Sequence, residues 1–246
     1  MFDNYETNIF FSVTSTRMMH HQKTAWEREY RKPILMTGDE KPQSDVLRFL
    51  KFLKKEYGCV VEGKHVLDLG SGTGRNAQYI AGLGNNVIGI EISPTALGIA
   101  KNKNKKEQAS VDYRLGDIGM LYSIDSDSID IVLDVTSSNS LNEQGREVYL
   151  QETSRVLKKG GYMFVRALCK DGNANVKNLL RTSPGKEYDT YYLKEMDLVE
   201  RVFSREDIVN MYAKYFTILT LEKKTGYPSM AGRVYKRDYW IMYVQK

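Results

Sequence analysis

The chain has 246 residues, 41% of them apolar and 27% charged, which suits one large domain with a real core, and no run approaches the roughly 18 apolar residues of a membrane span. With 36 Lys plus Arg against 31 Asp plus Glu, the net charge of +5 falls short of the clustered basic footprint of a dedicated nucleic-acid binder, so no nucleic acid is expected as partner. Cys59 and Cys169 show no CxxC spacing, and the start MFDNYETNIFF has no basic n-region or sustained apolar h-region; neither a disulfide framework, a metal site nor secretion is expected, and the protein reads as cytoplasmic.

The first 40 residues have weak periodicity, but TAWEREYRKP (24–33) sets Trp26 and Tyr30 four apart, which on a helix places both rings on one face. PILMTGDEKPQ (33–43) is linker-like. SDVLRFLKFLKKEYG (44–58) is an amphipathic helix with Val46, Leu47, Phe49, Leu50 and Leu53 inward. From 64 to 170, short β-branched runs alternate with helical patterns, the mark of βαβ units. Strands are expected at 65–70, 86–92, 111–116, 129–135 and 162–169. Ser93 before Pro94 is a helix start, and a helix over 143–157 is expected to be ended by Gly160 and Gly161. SRED at 204–207 resembles a capping box, with Ile208, Tyr212 and Tyr215 on one face behind it. Two strands follow, FTILTLEK (216–223) and DYWIMYVQ (238–245), joined by a polar loop too short for a parallel crossover and therefore antiparallel. The sum is an α/β fold: a doubly wound, mostly parallel, seven-stranded sheet with an antiparallel last strand. Residues 1–43 read as an N-terminal cap segment and 44–246 as the main domain.

The most informative stretch is VLDLGSGTGRNAQYIAGLGNNVIGIEIS (66–93). A strand ends, Gly70, Gly72 and Gly74 make a turn of little bulk, and a helix begins, so a ligand can approach the backbone amides. Glu91 ends the second strand about 20 positions on, where a carboxylate can accept hydrogen bonds from both hydroxyls of a ribose, and Asp68 precedes the first glycine by two. The sixth position counted from Gly70 is Arg75, not glycine, which argues against a pyrophosphate on the helix N-terminus. A nucleoside ligand is the natural reading; the alternative is a tight turn with no ligand.

This segment resembles motifs one and two of the class I S-adenosylmethionine-dependent methyltransferases, and the order of strands and helices agrees with their Rossmann-like fold over roughly residues 45–246. GRNAQYIA followed by GNNVIGIEIS is similar to the branch holding tellurite-resistance and thiopurine methyltransferases, over about thirty residues. The resemblance implies S-adenosyl-L-methionine as cofactor. It assigns Gly70, Ser71, Gly72 and Gly74 to the methionine part and Glu91, with Ile92 after it, to the ribose. Asp68 would order the loop. Asp117, in LGDIG, matches the acid that contacts the adenine amino group, with Ile118 supplying a backbone amide, unless it is simply an Asp in a turn. Trp26 and Tyr30 match the aromatic N-terminal segment that closes over the cofactor in many small-molecule methyltransferases; plain packing is the alternative.

Asp134, Val135 and Thr136 end the fourth strand, where such enzymes line the methyl and the acceptor. The following VTSSNSL lacks the Asn/Asp-Pro-Pro-Tyr signature of members that methylate amide or exocyclic nitrogens. Ser137 to Ser140 either hold a polar small molecule or cap the helix at 143. Methyl transfer from a sulfonium is an in-line displacement in which alignment dominates and a base is optional. Candidate bases are Asp134, His20 and His21, although two adjacent His in a polar segment are more often solvated than catalytic.

Residues 170–203 are too many for an ordinary connection and are expected to form a lid or acceptor insertion, with contacts from Tyr188, Tyr191, Tyr192 and Met196. Arg166 and Lys170 can neutralise an anionic acceptor, or pair on the surface. The expected function is methyl transfer to a small-molecule acceptor. Competing readings are a protein or RNA acceptor, and a non-catalytic nucleotide-binding module or nucleotide-dependent oxidoreductase on a similar sheet.

Overall fold

The computed structural model describes residues 22–34, 40–107, 110–121, 123–230 and 232–246. A helix over 22–31 (α1) comes first. Then follow α2 (Ser44–Tyr57), β1 (His65–Leu69), α3 (Arg75–Ala81), β2 (Asn86–Glu91), α4 (Pro94–Glu107), β3 (Val111–Leu115) and β4 (Ile129–Val135). A single 3-10 turn at Ser138–Ser140 leads into α5 (Glu143–Val156) and β5 (Leu157–Leu168). The remainder is α6 (Ala174–Thr182), β6 (Thr190–Leu193), β7 (Leu198–Arg201), α7 (Arg205–Tyr212), β8 (Thr217–Gly226), β9 (Ser229–Met230), β10 (Arg233–Val234) and β11 (Arg237–Gln245).

Seven strands form one sheet in the order β3-β2-β1-β4-β5-β11-β8. β1 pairs in parallel with β2 and β4, and β11 runs antiparallel to both β5 and β8, as the short final connection requires. The central strands are apolar nearly throughout because both faces are covered. Val66, Ile131, Phe164 and Ile241 pack on one face with Phe49 and Leu53 of α2 and Ile80 of α3. Leu67, Val132, Val165 and Met242 pack on the other with Tyr149 and Leu150 of α5 and Tyr212 of α7. Helix starts are fixed locally. The Ser93 hydroxyl accepts the Ala96 N–H at 3.2 Å, and Ser204 with Asp207 completes a capping box. Gly58, at φ 60, closes α2 with its N–H on Leu53 O.

Three local expectations change. Gly160 and Gly161 do not stop α5: the helix ends at Val156, Leu157 is already extended, and β5 runs through both glycines. The β4–β5 register shifts between Ile129 and Ile131, so the glycines serve an irregularity in a strand rather than a helix cap. On α2 the inward set is Asp45, Val46, Phe49, Leu50 and Leu53, with Leu47 only half-buried. The connection between β8 and β11 is not a plain loop but carries the β9–β10 hairpin. The 170–203 insertion is itself folded, as α6 and the antiparallel pair β6–β7, and its Tyr191, Leu193 and Met196 are buried in the core.

Candidate active site

The C-terminal ends of β1, β2 and β4 meet in the crevice where open α/β sheets hold ligands. β1 stops at Leu69, and the chain then turns through three left-handed glycines at φ 67 (Gly70), 55 (Gly72) and 86 (Gly74). The loop is pinned by Ser71 N–H on Ile90 O and Gly74 N–H on Ser71 O, both at 2.9 Å. A side chain at Gly70 would meet Ser137 Oγ at 2.2 Å, and one at Gly72 would meet the Tyr30 hydroxyl at 2.6 Å. Gly70, Ser71, Gly72 and Thr73 line a cavity of about 340 Å³. Gly74 does not; its Cα is pressed against Tyr113, whose hydroxyl would lie 2.1 Å from an added Cβ. Its conformation serves the turn and the strand packing.

Glu91 reaches into the same cavity from the end of β2. Its Oε2 accepts the Gly72 N–H at 2.9 Å and its Oε1 the Ser93 N–H at 2.8 Å, so both oxygens are oriented by backbone donors. Burial raises its pKa, and these backbone donors oppose the rise. Asp68 lies beneath the loop, outside the cavity lining, and burial pushes it up to about 7 against the opposing charge of Arg75. Asp117 and Ile118 line the cavity beyond β3; Asp117 Oδ1 accepts the Gly119 N–H at 2.8 Å, and burial raises its pKa. Ile92 also lines the cavity.

α1 roofs the cavity. Trp26 and Tyr30 both line it, with ring centroids 6.4 Å apart. Contacts that pin the helix include Gln22 Nε2 to Val199 O at 3.1 Å, Trp26 Nε1 to Ser140 Oγ at 3.3 Å, Arg28 to Asp197 at 3.6 Å, and Glu27 to the start of α4. The Glu27 carboxylate accepts the Ser93 hydroxyl at 2.6 Å, the Thr95 hydroxyl at 2.6 Å and the Thr95 N–H at 3.1 Å. Burial alone would raise its pKa, but these bonds, together with that from Arg31, hold it at about 2. The carboxylate also meets the positive end of α4.

Beyond β4 the cavity is lined by Val135, Thr136 and Ser137, but not by Asp134. The Asp134 carboxylate is fully buried and taken up by Ser137 N–H at 2.8 Å, Ser138 N–H at 3.3 Å and the Tyr149 hydroxyl at 2.7 Å. It holds the 3-10 turn in place and does not face an acceptor. The capping role considered for Ser137 to Ser140 falls instead to Asn142, whose side chain accepts the Gly145 N–H. His20 and His21 lie outside the described residues.

The far wall is Arg166 and Leu168 of β5, Glu200 of β7, and Arg237 and Tyr239 of β11. Of the two cations expected near an acceptor, Arg166 is there; Lys170 is not, being bound to Asp189 at 2.7 Å. None of Tyr188, Tyr191, Tyr192 and Met196 lines the cavity: Tyr188 is 68% exposed, and Tyr191 is buried with its hydroxyl on Glu200 at 2.7 Å. The insertion contributes through Glu200. Glu200, Arg237 and Tyr239 were missed from the sequence; the available signal was a Glu at an inward position of a short apolar strand and an Arg opening the last strand.

The residues fit the cofactor that the sequence motifs imply. Glu91 offers two oriented acceptor oxygens, the loop presents backbone with no room for side chains, and Ser71 Oγ is buried with no hydrogen-bond partner among the described residues. Residues 67–165 match the family described as a methyltransferase domain. The chain is 29% identical over 139 residues to the ubiquinone biosynthesis O-methyltransferase of Coxiella burnetii, an alignment covering 56% of each protein. It thus spans little more than half the length of that curated relative. In structure it is similar to the Burkholderia thailandensis 1,6-didemethyltoxoflavin-N1-methyltransferase, with TM-score 0.69, 16% identity, and 94% of this chain and 90% of that one covered. A Methanosarcina mazei S-adenosylmethionine-dependent methyltransferase gives TM-score 0.67 at 20% identity, over 78% of this chain and 96% of that one. At these identities the structural likeness speaks for the fold. Fold, loop and matched family together define a Rossmann-like methyltransferase domain. Residues 67–165 carry a methyltransferase domain, on the Rossmann-like fold of the S-adenosylmethionine-dependent enzymes.

Proposed function

We propose that the protein transfers the methyl group of S-adenosylmethionine to a small-molecule acceptor. The observation that carries this is a roofed cavity of about 340 Å³, running from Glu91 and Asp117 past the end of β4 to Arg166 and Tyr239. That volume is in the range of small-ligand sites, and α1 covers one side of it with Trp26 and Tyr30. The toxoflavin-type neighbour, whose structure holds 1,6-didemethyltoxoflavin and S-adenosylhomocysteine, supports the same reading. Two free cysteines, one of them buried, agree with a cytoplasmic location, and no helix among the described residues is long and apolar enough to cross a membrane.

When bound, S-adenosylmethionine supplies a methyl on a sulfonium, already activated for displacement. Glu91 would hold the ribose through its two oriented oxygens, Asp117 and the Ile118 amide would serve the adenine, and Gly70 to Gly72 would admit the methionine part to the backbone. Trp26 and Tyr30 close the roof and exclude water; aromatic faces also favour a cation. Burial and the nearby Glu91 charge keep the Tyr30 hydroxyl protonated. Asp134 acts through the turn it holds, fixing Ser137 and Ser140 at the cavity wall. The chain's main contribution is alignment of the acceptor.

Calorimetry with S-adenosylhomocysteine tests the cofactor half, with tight stoichiometric binding that Glu91→Ala weakens. An assay of S-adenosylhomocysteine release then compares a panel of small acceptors with total RNA and a denatured protein pool. Turnover confined to RNA or protein would replace the small-molecule reading; absence of cofactor binding would remove the enzyme reading altogether.

A further inference from the structure

The wall formed by β5 and β11 is cationic. Arg166 sits on β5 opposite Val135, and Arg237 opens β11 just beyond the end of β5. Both reach the cavity. Their counter-charges are already shared. Glu200 takes Arg237 Nη2 at 2.6 Å and the Tyr191 hydroxyl at 2.7 Å, which closes that pair. Asp45, the carboxylate beside Arg166, is 3.5 Å from its Nε but is also bound by Arg48 at 2.7 Å and by Lys224. Three cations thus lean on one carboxylate. Arg166 Nε has no hydrogen-bond partner among the described residues, and its guanidinium carbon stands 3.4 Å from the centre of the Tyr239 ring. Burial lowers the Arg166 pKa, as for a cation short of compensation.

A buried guanidinium is costly unless it is paired, and its planar fork fits a carboxylate with two parallel hydrogen bonds. Leu141, Leu168, Pro228 and the Tyr239 ring add apolar surface to the same cavity. We propose that the methyl acceptor is a small organic acid: a carboxylate on a compact apolar body, bound by Arg166 with Arg237 as a second donor. This rests on the reading of the cavity as the joint cofactor and acceptor site. Arg237 is available because its bonds to Glu200 and Tyr191 both leave from Nη2. A cationic acceptor would meet two guanidinium groups, and a neutral one would leave Arg166 with only its share of Asp45. A phosphate monoester presents similar anionic oxygens, and the test separates the two.

The full chain is saturated with S-adenosylhomocysteine and titrated calorimetrically with benzoate, benzamide and phenyl phosphate, as wild type, Arg166→Gln and Arg166→Lys. Benzoate is expected to bind roughly ten- to a hundredfold more tightly than benzamide, the span of a hydrogen bond to a charged group. That preference disappears in Arg166→Gln and is partly kept in Arg166→Lys. Melting and S-adenosylhomocysteine binding show that each variant is folded; Arg48 and Lys224 still compensate Asp45 in both. Equal binding of benzoate and benzamide, no binding of benzoate, or a preference that survives Arg166→Gln overturns the proposal. Phenyl phosphate binding more tightly than benzoate overturns the choice of carboxylate. Wild-type protein that fails to bind S-adenosylhomocysteine overturns both this and the function on which it rests.

Discussion

The two ends of the cavity are built by opposite means. Around Glu91 the work is done by backbone: left-handed glycines, amide N–H groups on a carboxylate, and strand ends adjacent in the sheet, all between Val66 and Ser93. Around Arg166 it is done by long charged side chains brought together from β5, β7 and β11, distant in sequence. A cofactor that never changes can be met by a rigid turn, whereas an acceptor is chosen by side chains that substitution can alter without touching the turn. α1 spans both ends, fastened to α4 through Glu27 and to β7 through Gln22.

The backbone end should tolerate substitution least. Gly74→Ala places a Cβ 2.1 Å from the Tyr113 hydroxyl in a left-handed conformation, and is expected to cost roughly 2–4 kcal/mol of unfolding free energy in urea. Adding Tyr113→Phe should recover part of that loss, although Tyr113 Cζ still lies 2.9 Å from the new Cβ. A double variant as unstable as the sum of its parts would show that backbone strain alone sets the requirement. Next in size is Glu91→Gln. It exchanges one charged acceptor oxygen for a donor that faces the N–H of Gly72 or Ser93, and is expected to raise the S-adenosylhomocysteine dissociation constant roughly ten- to a hundredfold. Calorimetry showing less than a twofold change would remove Glu91 from the ribose contact.

The same contrast decides what the sequence could show. Gly70, Gly72, Glu91 and Asp117 follow one another at fixed spacings from strand ends, so periodicity and a motif locate them together. The residues behind the tellurite and thiopurine likeness belong to this end, which is why that likeness is silent about the acceptor. Arg166, Glu200 and Arg237 meet only because β11 inserts between β5 and β8 and the insertion folds over, and no local pattern carries that pairing. Asp134 was legible as a strand-end acid, but not the direction of its carboxylate, which depends on Tyr149 fifteen positions away on α5. Gly160 and Gly161 misled for a related reason: two glycines after a helical pattern suit a cap, and only the sheet shows them inside a strand.

A smaller effect is expected where the two ends are joined. Glu27→Ala removes three hydrogen bonds to Ser93 and Thr95 and should loosen α1 without unfolding the sheet. A lost helix cap is worth about 1 kcal/mol, so S-adenosylhomocysteine affinity should fall roughly fivefold, with faster amide exchange confined to residues 22–31. The pH dependence has a definite sign. The folded pKa of Glu27 is about 2 and the ordinary value is 4.5, so its contribution is complete above 4.5 and is lost as the pH falls through that window toward 2. Protection factors in α1, corrected for intrinsic exchange, that stay flat from pH 5 to 3 in the wild type would show that Glu27 does not hold the roof.

The smallest expected effect separates Lys170 from Arg166, four positions apart and both basic. Lys170 stands past the end of β5, with its Nζ on Asp189 at 2.7 Å and 5.2 Å from the centre of the exposed Tyr188 ring. Its charge is paired, partly solvated and outside the cavity, and such pairs contribute little. Lys170→Ala should leave the acceptor KM within about twofold of wild type, in the assay where Arg166→Gln raises it. If Lys170→Ala instead raises KM as much as Arg166→Gln, then acceptor choice follows the summed positive field of the β5 end. A KM shift confined to Arg166→Gln and insensitive to salt means that a desolvated guanidinium reads the acceptor by contact.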